Sequence, residues 1–192
     1  MVGAWKVKPV VGGMPEKVAT AFTDVLGKLV GAEYTPIAYL GSQVVNGVNH
    51  AILAEQLLVT GKDTKNVVLI VLNEREEKFT IANIERVVEG GAGLGGTVID
   101  VKTTIPAEAK EAFDAVLGEN VGTTIKPFAL LATQVTKGIN YVFAAEVSPV
   151  VANPEPSVEI VFVNALTKRA AFVDVLKSGV QVGLGKPLGE WP

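Results

Sequence analysis

The chain has 192 residues, 48% of them hydrophobic and 19% charged, with a formal net charge of −3. That length allows one large domain or two small ones, and the composition supports a buried core and excludes a disordered chain. No basic stripe or aromatic-plus-basic cluster points to nucleic acid, and the longest apolar run, Val67 to Leu72, is too short to span a bilayer.

Residues 4–10, "AWKVKPV", read as a short strand, and Gly12-Gly13 breaks it. Pro15 suits the first turn of a helix, where its missing N–H costs nothing. Val18, Phe22, Val25, Leu26 and Leu29 recur at helical spacing and make one apolar face, which Gly31 is expected to end. Tyr34 to Val45 and Val48 to Thr60 read as two strands. Asn46-Gly47 between them is a strong hairpin signal, because both residues tolerate positive φ in a type I′ turn. A polar loop at Gly61–Lys65 leads to "NVVLIVLN", which looks like a buried strand. A turn at Glu74–Glu77 then leads to a last strand near Phe79–Val87.

The same order repeats. Gly47 and Gly138 lie 91 positions apart, and at that offset the chain matches itself without a gap. Pro15 meets Pro106, Phe22 meets Phe113, Val25-Leu26-Gly27 meets Val116-Leu117-Gly118, and Ala54-Glu55 meets Ala145-Glu146. Roughly a quarter of the aligned positions are identical, as expected of two copies of one domain. Copy one is expected over 1–90 and copy two over 97–192, joined by a glycine-rich linker at 91–96 within "EGGAGLGG". That stretch also satisfies G-x-G-x-x-G through Gly91, Gly93 and Gly96. The strand-like "TVIDVKTT" after it denies the dinucleotide fingerprint the helix it needs. Each copy thus reads β-α-β-β-β-β, an α+β arrangement with one helix covering one antiparallel sheet.

The order of a strand, Gly-Gly, a helix and a hairpin tipped by Gln-x-Val-x-Gly resembles the cystatins, inhibitors of papain-like cysteine proteases. The residues that carry the resemblance are Val10-Val11-Gly12-Gly13, Gln43-Val44-Val45-Asn46-Gly47 and the Val48-Asn49-His50 that follows. It implies two tandem cystatin-like domains, with an N-terminal segment and two hairpins forming a wedge that occludes the protease groove. Val11, Gly12, Gly13, Gln43, Val44, Val45, Asn46 and Gly47 would make that wedge in copy one, and Gln134, Val135 and Gly138 are their echoes in copy two. Copy one is the better inhibitor on this reading. Copy two has Thr103-Thr104 in place of Gly12-Gly13, and Thr136-Lys137 in place of Val45-Asn46. The second hairpin carries Glu74-Arg75-Glu76-Glu77 where many cystatins have Pro-Trp.

The alternative is a non-inhibitory structural, adhesive or assembly module that repeats the fold to make a larger surface, its partner then being a further copy of itself or an assembly partner. An enzyme is not expected. Without cysteine there is no thiolate nucleophile, disulfide or zinc-thiolate site. A single histidine, His50, denies each half a Ser-His-Asp triad or multi-histidine metal site. No cofactor, nucleic acid or membrane insertion is expected. His50 aligns with Tyr141 and reads as a packed ring. The first residues, MVGAWKVKPV, lack the charged start and apolar middle of a signal peptide, which leaves cytoplasmic and processed secreted locations open.

Overall fold

The computed structural model describes residues 3–59, 62, 64–91 and 96–177. Gly93 of the linker, the central part of "EGGAGLGG", Gly61 and Trp191 lie outside the described residues. The chain divides into two compact units, Met1–Val87 and Val88–Pro192.

Unit 1 holds β1 (Trp5–Val11), α1 (Glu16–Leu26), β2 (Ala32–Val45), β3 (Gly47–Leu58), β4 (Thr64–Arg75) and β5 (Lys78–Glu89), whose last residues pass the division. Its strands form one antiparallel sheet in the order β1-β2-β3-β4-β5. Unit 2 holds β6 (Val98–Lys102), α2 (Ala107–Leu117), β7 (Thr123–Thr136), β8 (Gly138–Pro149), β9 (Ser157–Asn164) and β10 (Arg169–Asp174), in the sheet order β10-β9-β8-β7-β6.

This corrects the expected fold class. Two tandem cystatin-like domains of α+β type, each one helix packed on an antiparallel sheet, are not what the chain forms. About 60% of it is strand, in two five-stranded antiparallel sheets, and the helices are two short ones of 11 residues each. The physical reason lies in the strands. A sheet covered by one helix needs apolar residues on one face and polar residues on the other. In unit 1, Ile52, Ala54, Val68 and Ile70 meet Val18 and Phe22 of α1 in a core. The alternate positions Ala51, Leu53, Val67 and Leu69 are buried as well. Unit 2 does the same: Phe143, Ala145, Val161 and Val163 pack with Ala109 and Phe113 of α2, while Val142, Ala144, Val158 and Ile160 are also buried. Both faces of the central strands are buried, so burial is dominated by strands.

Helix α1 also ends a turn early. Its last residue is Leu26, and Gly27 follows as the cap. Leu29 is beyond it and Val30 is almost fully exposed. Glycine is among the weakest helix formers, and here it sits where the apolar repeat thins out. Gly31 lies in the connection to β2 with φ +88°.

The hairpin turns differ from the expected type. Asn46 does not adopt positive φ; Gly47 alone does, at +99°, and Gly138 takes +87° at the same place in unit 2. The two-residue turn with positive φ at both positions is the second one, between β4 and β5, where Glu76 has φ 51° and Glu77 φ 63°. A side chain there is held in a region that glycine and asparagine occupy far more readily. Replacing the pair by Asn-Gly is expected to raise stability by about 1 kcal/mol, read as a higher urea midpoint at unchanged slope.

Candidate functional site

In unit 1 three chain segments meet at one end of the sheet. They are the start of β1, the β2–β3 tip at 43–47, and the β4–β5 turn at 74–77. The register places them there: Trp5 pairs with Gln43, Val45 with Gly47, and Val48 with Glu74.

A ladder of side-chain amides crosses this end. Gln43 Nε2 donates to the Gly3 carbonyl at 2.9 Å, Asn49 Nδ2 donates to Gln43 Oε1 at 3.3 Å, and Asn73 Nδ2 donates to Asn49 Oδ1 at 2.8 Å. The Gly3 N–H closes the set by donating to the Val44 carbonyl at 2.8 Å. Gln43 therefore turns inward and fixes the N-terminal segment to the hairpin. Gly47 must be glycine: its φ is positive, and a Cβ there would come within 2.3 Å of the Glu74 carbonyl oxygen. Val44 is left projecting from this framework at 57% exposure, with Val45 half-buried and Asn46 exposed.

The Gly12-Gly13 segment is elsewhere. Val10 pairs with Tyr39 and Val11 with Ala38, so Val11, Gly12 and Gly13 lie at the far end of β1, about 20 Å of strand from the tip. The glycine beside the hairpin is Gly3. Of the residues expected to form the wedge, the structure brings together Gln43 through Gly47 and separates Val11, Gly12 and Gly13 from them. Sequence reasoning missed Gly3 and Trp5, although topology signals them. β2 runs towards the tip and β1 is antiparallel to it, so β1 must start, not end, beside the tip.

The Glu74–Glu77 turn is not simply a solvated acidic cluster. Lys17 Nζ on α1 donates to Glu74 Oε1 at 2.7 Å, and His50 Nε2 lies 2.8 Å from Glu74 Oε2. The other ring nitrogen of His50, Nδ1, is 2.9 Å from Tyr39 Oη. The buried His50 ring is also near Phe79, at a centroid distance of 5.9 Å. His50 is the packed ring expected, with a further part in a chain from helix to turn. The Lys17 hydrogen bond, then that of His50, holds the Glu74 carboxyl below its ordinary value of 4.5. Burial pushes the Tyr39 phenol up, so it stays protonated. A folded-state value below the unfolded one stabilises the protein at pH above 4.5, and that stabilisation is lost as pH falls through the folded-state value. Glu74→Gln is therefore expected to lower stability at neutral pH and to flatten its acid dependence below pH 4.5, measured as urea midpoints against pH in both proteins.

Unit 2 repeats the amide ladder at this end and differs in what it exposes. Gln134 is buried, and its Oε1 accepts from Asn140 Nδ2 at 3.1 Å. Asn164 Nδ2 reaches Asn140 Oδ1 at 2.7 Å and the Lys137 carbonyl at 3.1 Å, while Asn164 Oδ1 accepts from the Thr167 N–H at 3.0 Å. One side chain thereby ties the two turns of this unit together. Val135 is 77% exposed and Leu166 65%. Thr103-Thr104 follow the end of β6, which pairs Lys102 with Leu130, away from the tip.

Among the described residues no group of three or more His, Asp or Glu side chains is placed to hold a metal ion. What the arrangement does present is a braced, projecting edge. Comparison with family models, curated proteins and solved structures finds no match to this chain.

Proposed function

We propose that the chain is a non-enzymatic inhibitor that occludes the groove of a papain-like cysteine protease with the tip end of unit 1. The observation that carries this reading is the convergence of Gly3–Trp5, residues 43–47 and residues 74–77 on one braced sheet end. An edge fixed before binding loses little entropy when bound. Val44 supplies an apolar contact, and the backbone of the tip supplies hydrogen bonds to the groove walls. No bond is made or broken, so inhibition is competitive and reversible.

The engagement of Glu74 by Lys17 and His50 supports this reading, because it removes one of three carboxylates from the surface to be buried. Glu76 and Glu77 stay exposed beside the tip and favour a second reading, a non-inhibitory binding or assembly module. Papain-catalysed hydrolysis of a dipeptide substrate separates the two. The inhibitor reading expects competitive inhibition with Ki between about 1 nM and 1 μM, or about −12 to −8 kcal/mol. It expects Val44→Asp to weaken inhibition at least about tenfold, equal to about 1.4 kcal/mol. Inhibition that is absent, or unchanged in Val44→Asp, favours the module.

A further inference from the structure

The tip of unit 2 differs in kind from that of unit 1. Val135, Leu166 and Ile139 are exposed at 77%, 65% and 43%, and Val135 pairs directly with Ile139 across the hairpin. Leu166 stands over the turn glycine, where a Cβ on Gly138 would come within 2.9 Å of Leu166 Cβ. Every charged residue in segments 134–140 and 164–171 is positive, namely Lys137, Lys168 and Arg169, in a chain whose net charge is −3. At the matching positions unit 1 has Asn46 for Lys137, Arg75 for Leu166 and Glu77 for Lys168. The two copies share a scaffold and have diverged at these exposed positions.

We infer that the unit 2 tip is an adsorption site for an anionic lipid bilayer, with Val135, Ile139 and Leu166 at the acyl boundary and Lys137 and Lys168 at the level of the phosphates. Exposed apolar side chains close together at the end of a sheet mark an interaction site. Here they project from two adjacent turns, and a convex end of that kind needs a partner that yields to it. A bilayer interface yields, and its anionic headgroups complement the lysines of the two turns. Lysine stems can lie along apolar surface while the ammonium groups reach outward. Adsorption at the surface is the mode proposed; among the described residues no helix is long and apolar enough to cross a membrane. This inference does not rest on the protease reading.

The test is co-sedimentation of the intact chain with vesicles of pure phosphatidylcholine and with vesicles carrying about 30% phosphatidylserine, near 0.1 M salt. Partition into the anionic vesicles is expected to be at least about tenfold higher, and to fall severalfold near 0.5 M salt as the charges are screened. The triple variant Lys137→Asn, Leu166→Arg, Lys168→Glu, which carries the unit 1 residues at exposed positions, is expected to fall to the phosphatidylcholine level. Val135→Thr with Ile139→Thr, which leaves the charge intact, is expected to lose partition in part. Val44→Asp in unit 1 is expected to change nothing. Equal partition into both vesicle types, no partition, or undiminished partition of the folded triple variant would each overturn the inference, and would leave this tip to an acidic protein partner.

Discussion

If the tip of unit 1 occludes a protease groove as proposed, replacing Gly47 with valine is expected to abolish papain inhibition, raising Ki by at least about a hundredfold, equal to about 2.7 kcal/mol. Two effects act together. Valine is strongly disfavoured at φ +99°, and its Cβ would come within 2.3 Å of the Glu74 carbonyl oxygen. The β2–β3 tip and the β4–β5 turn would have to separate. That breaks the approach on which both the Asn73–Asn49 bond and the Glu74–His50 contact depend. The folded state is expected to lose about 2–4 kcal/mol, so inhibition is to be measured well below the melting temperature. Gly47→Ala, which adds one methyl group, is expected to weaken inhibition in the same direction and by less. A full-strength Gly47→Val inhibitor would mean that the tip geometry is irrelevant to binding.

The second large effect is in the core of unit 2. Phe143 on β8 is fully buried and meets Phe113 of α2 edge to face, with ring centroids 5.1 Å apart and planes at 78°. Tyr141, two residues earlier on the same sheet face, lies at a centroid distance of 6.3 Å. Phe143→Ala removes the largest of the fully buried side chains. It leaves a cavity lined by Ala109, Ala145 and Val161, which are too short to fill it. The expected cost is about 3–5 kcal/mol, or a fall in Tm of about 6–20 °C for a chain of this length, measured by calorimetry. Edge-to-face contact adds about 0.5–1.5 kcal/mol beyond area. Phe143→Leu, which restores volume but not the ring edge, is therefore expected to recover most of the loss.

The order of strands and helices was legible because the periods were clear. Val18, Phe22, Val25 and Leu26 repeat at helical spacing, and "NVVLIVLN" reads as a buried strand at sight. The same eight residues carried the signal that the simple helix-on-sheet picture was incomplete. A strand with Val67, Val68, Leu69 and Ile70 in succession has no polar face to give to water. The 91-residue offset made the second half readable from the first.

The site was legible at the hairpin and illegible in what supports it. Gln43 and Gly47 carry their positions in the motif. The partners of Glu74, by contrast, come from positions 17 and 50, and no local pattern links residues so far apart. The same is true of the amide ladder, since Asn49 and Asn73 are neighbours only through the β3–β4 register. The turn type was misjudged at Asn46-Gly47 because that pair is compatible with several turns. Register with β4 decided among them, and left the positive-φ pair to Glu76-Glu77. Val135 stands out further than Val44, which residue identity alone could not reveal.

The measurement that tests the central claim most directly is calorimetric binding of the intact chain to papain in three forms. One is active, one has its catalytic thiol blocked by a methylthio group, and one has its groove filled by a covalent peptidyl inhibitor. Occlusion by a braced edge predicts a one-to-one complex with the active enzyme at Kd below about 1 μM, or −8 kcal/mol. It predicts affinity kept within about tenfold on the methylthio form, since the inhibitor performs no chemistry on the thiol, and no binding to the filled form. Undiminished binding to the filled groove, or no binding to the active enzyme up to about 10 μM, would contradict the account.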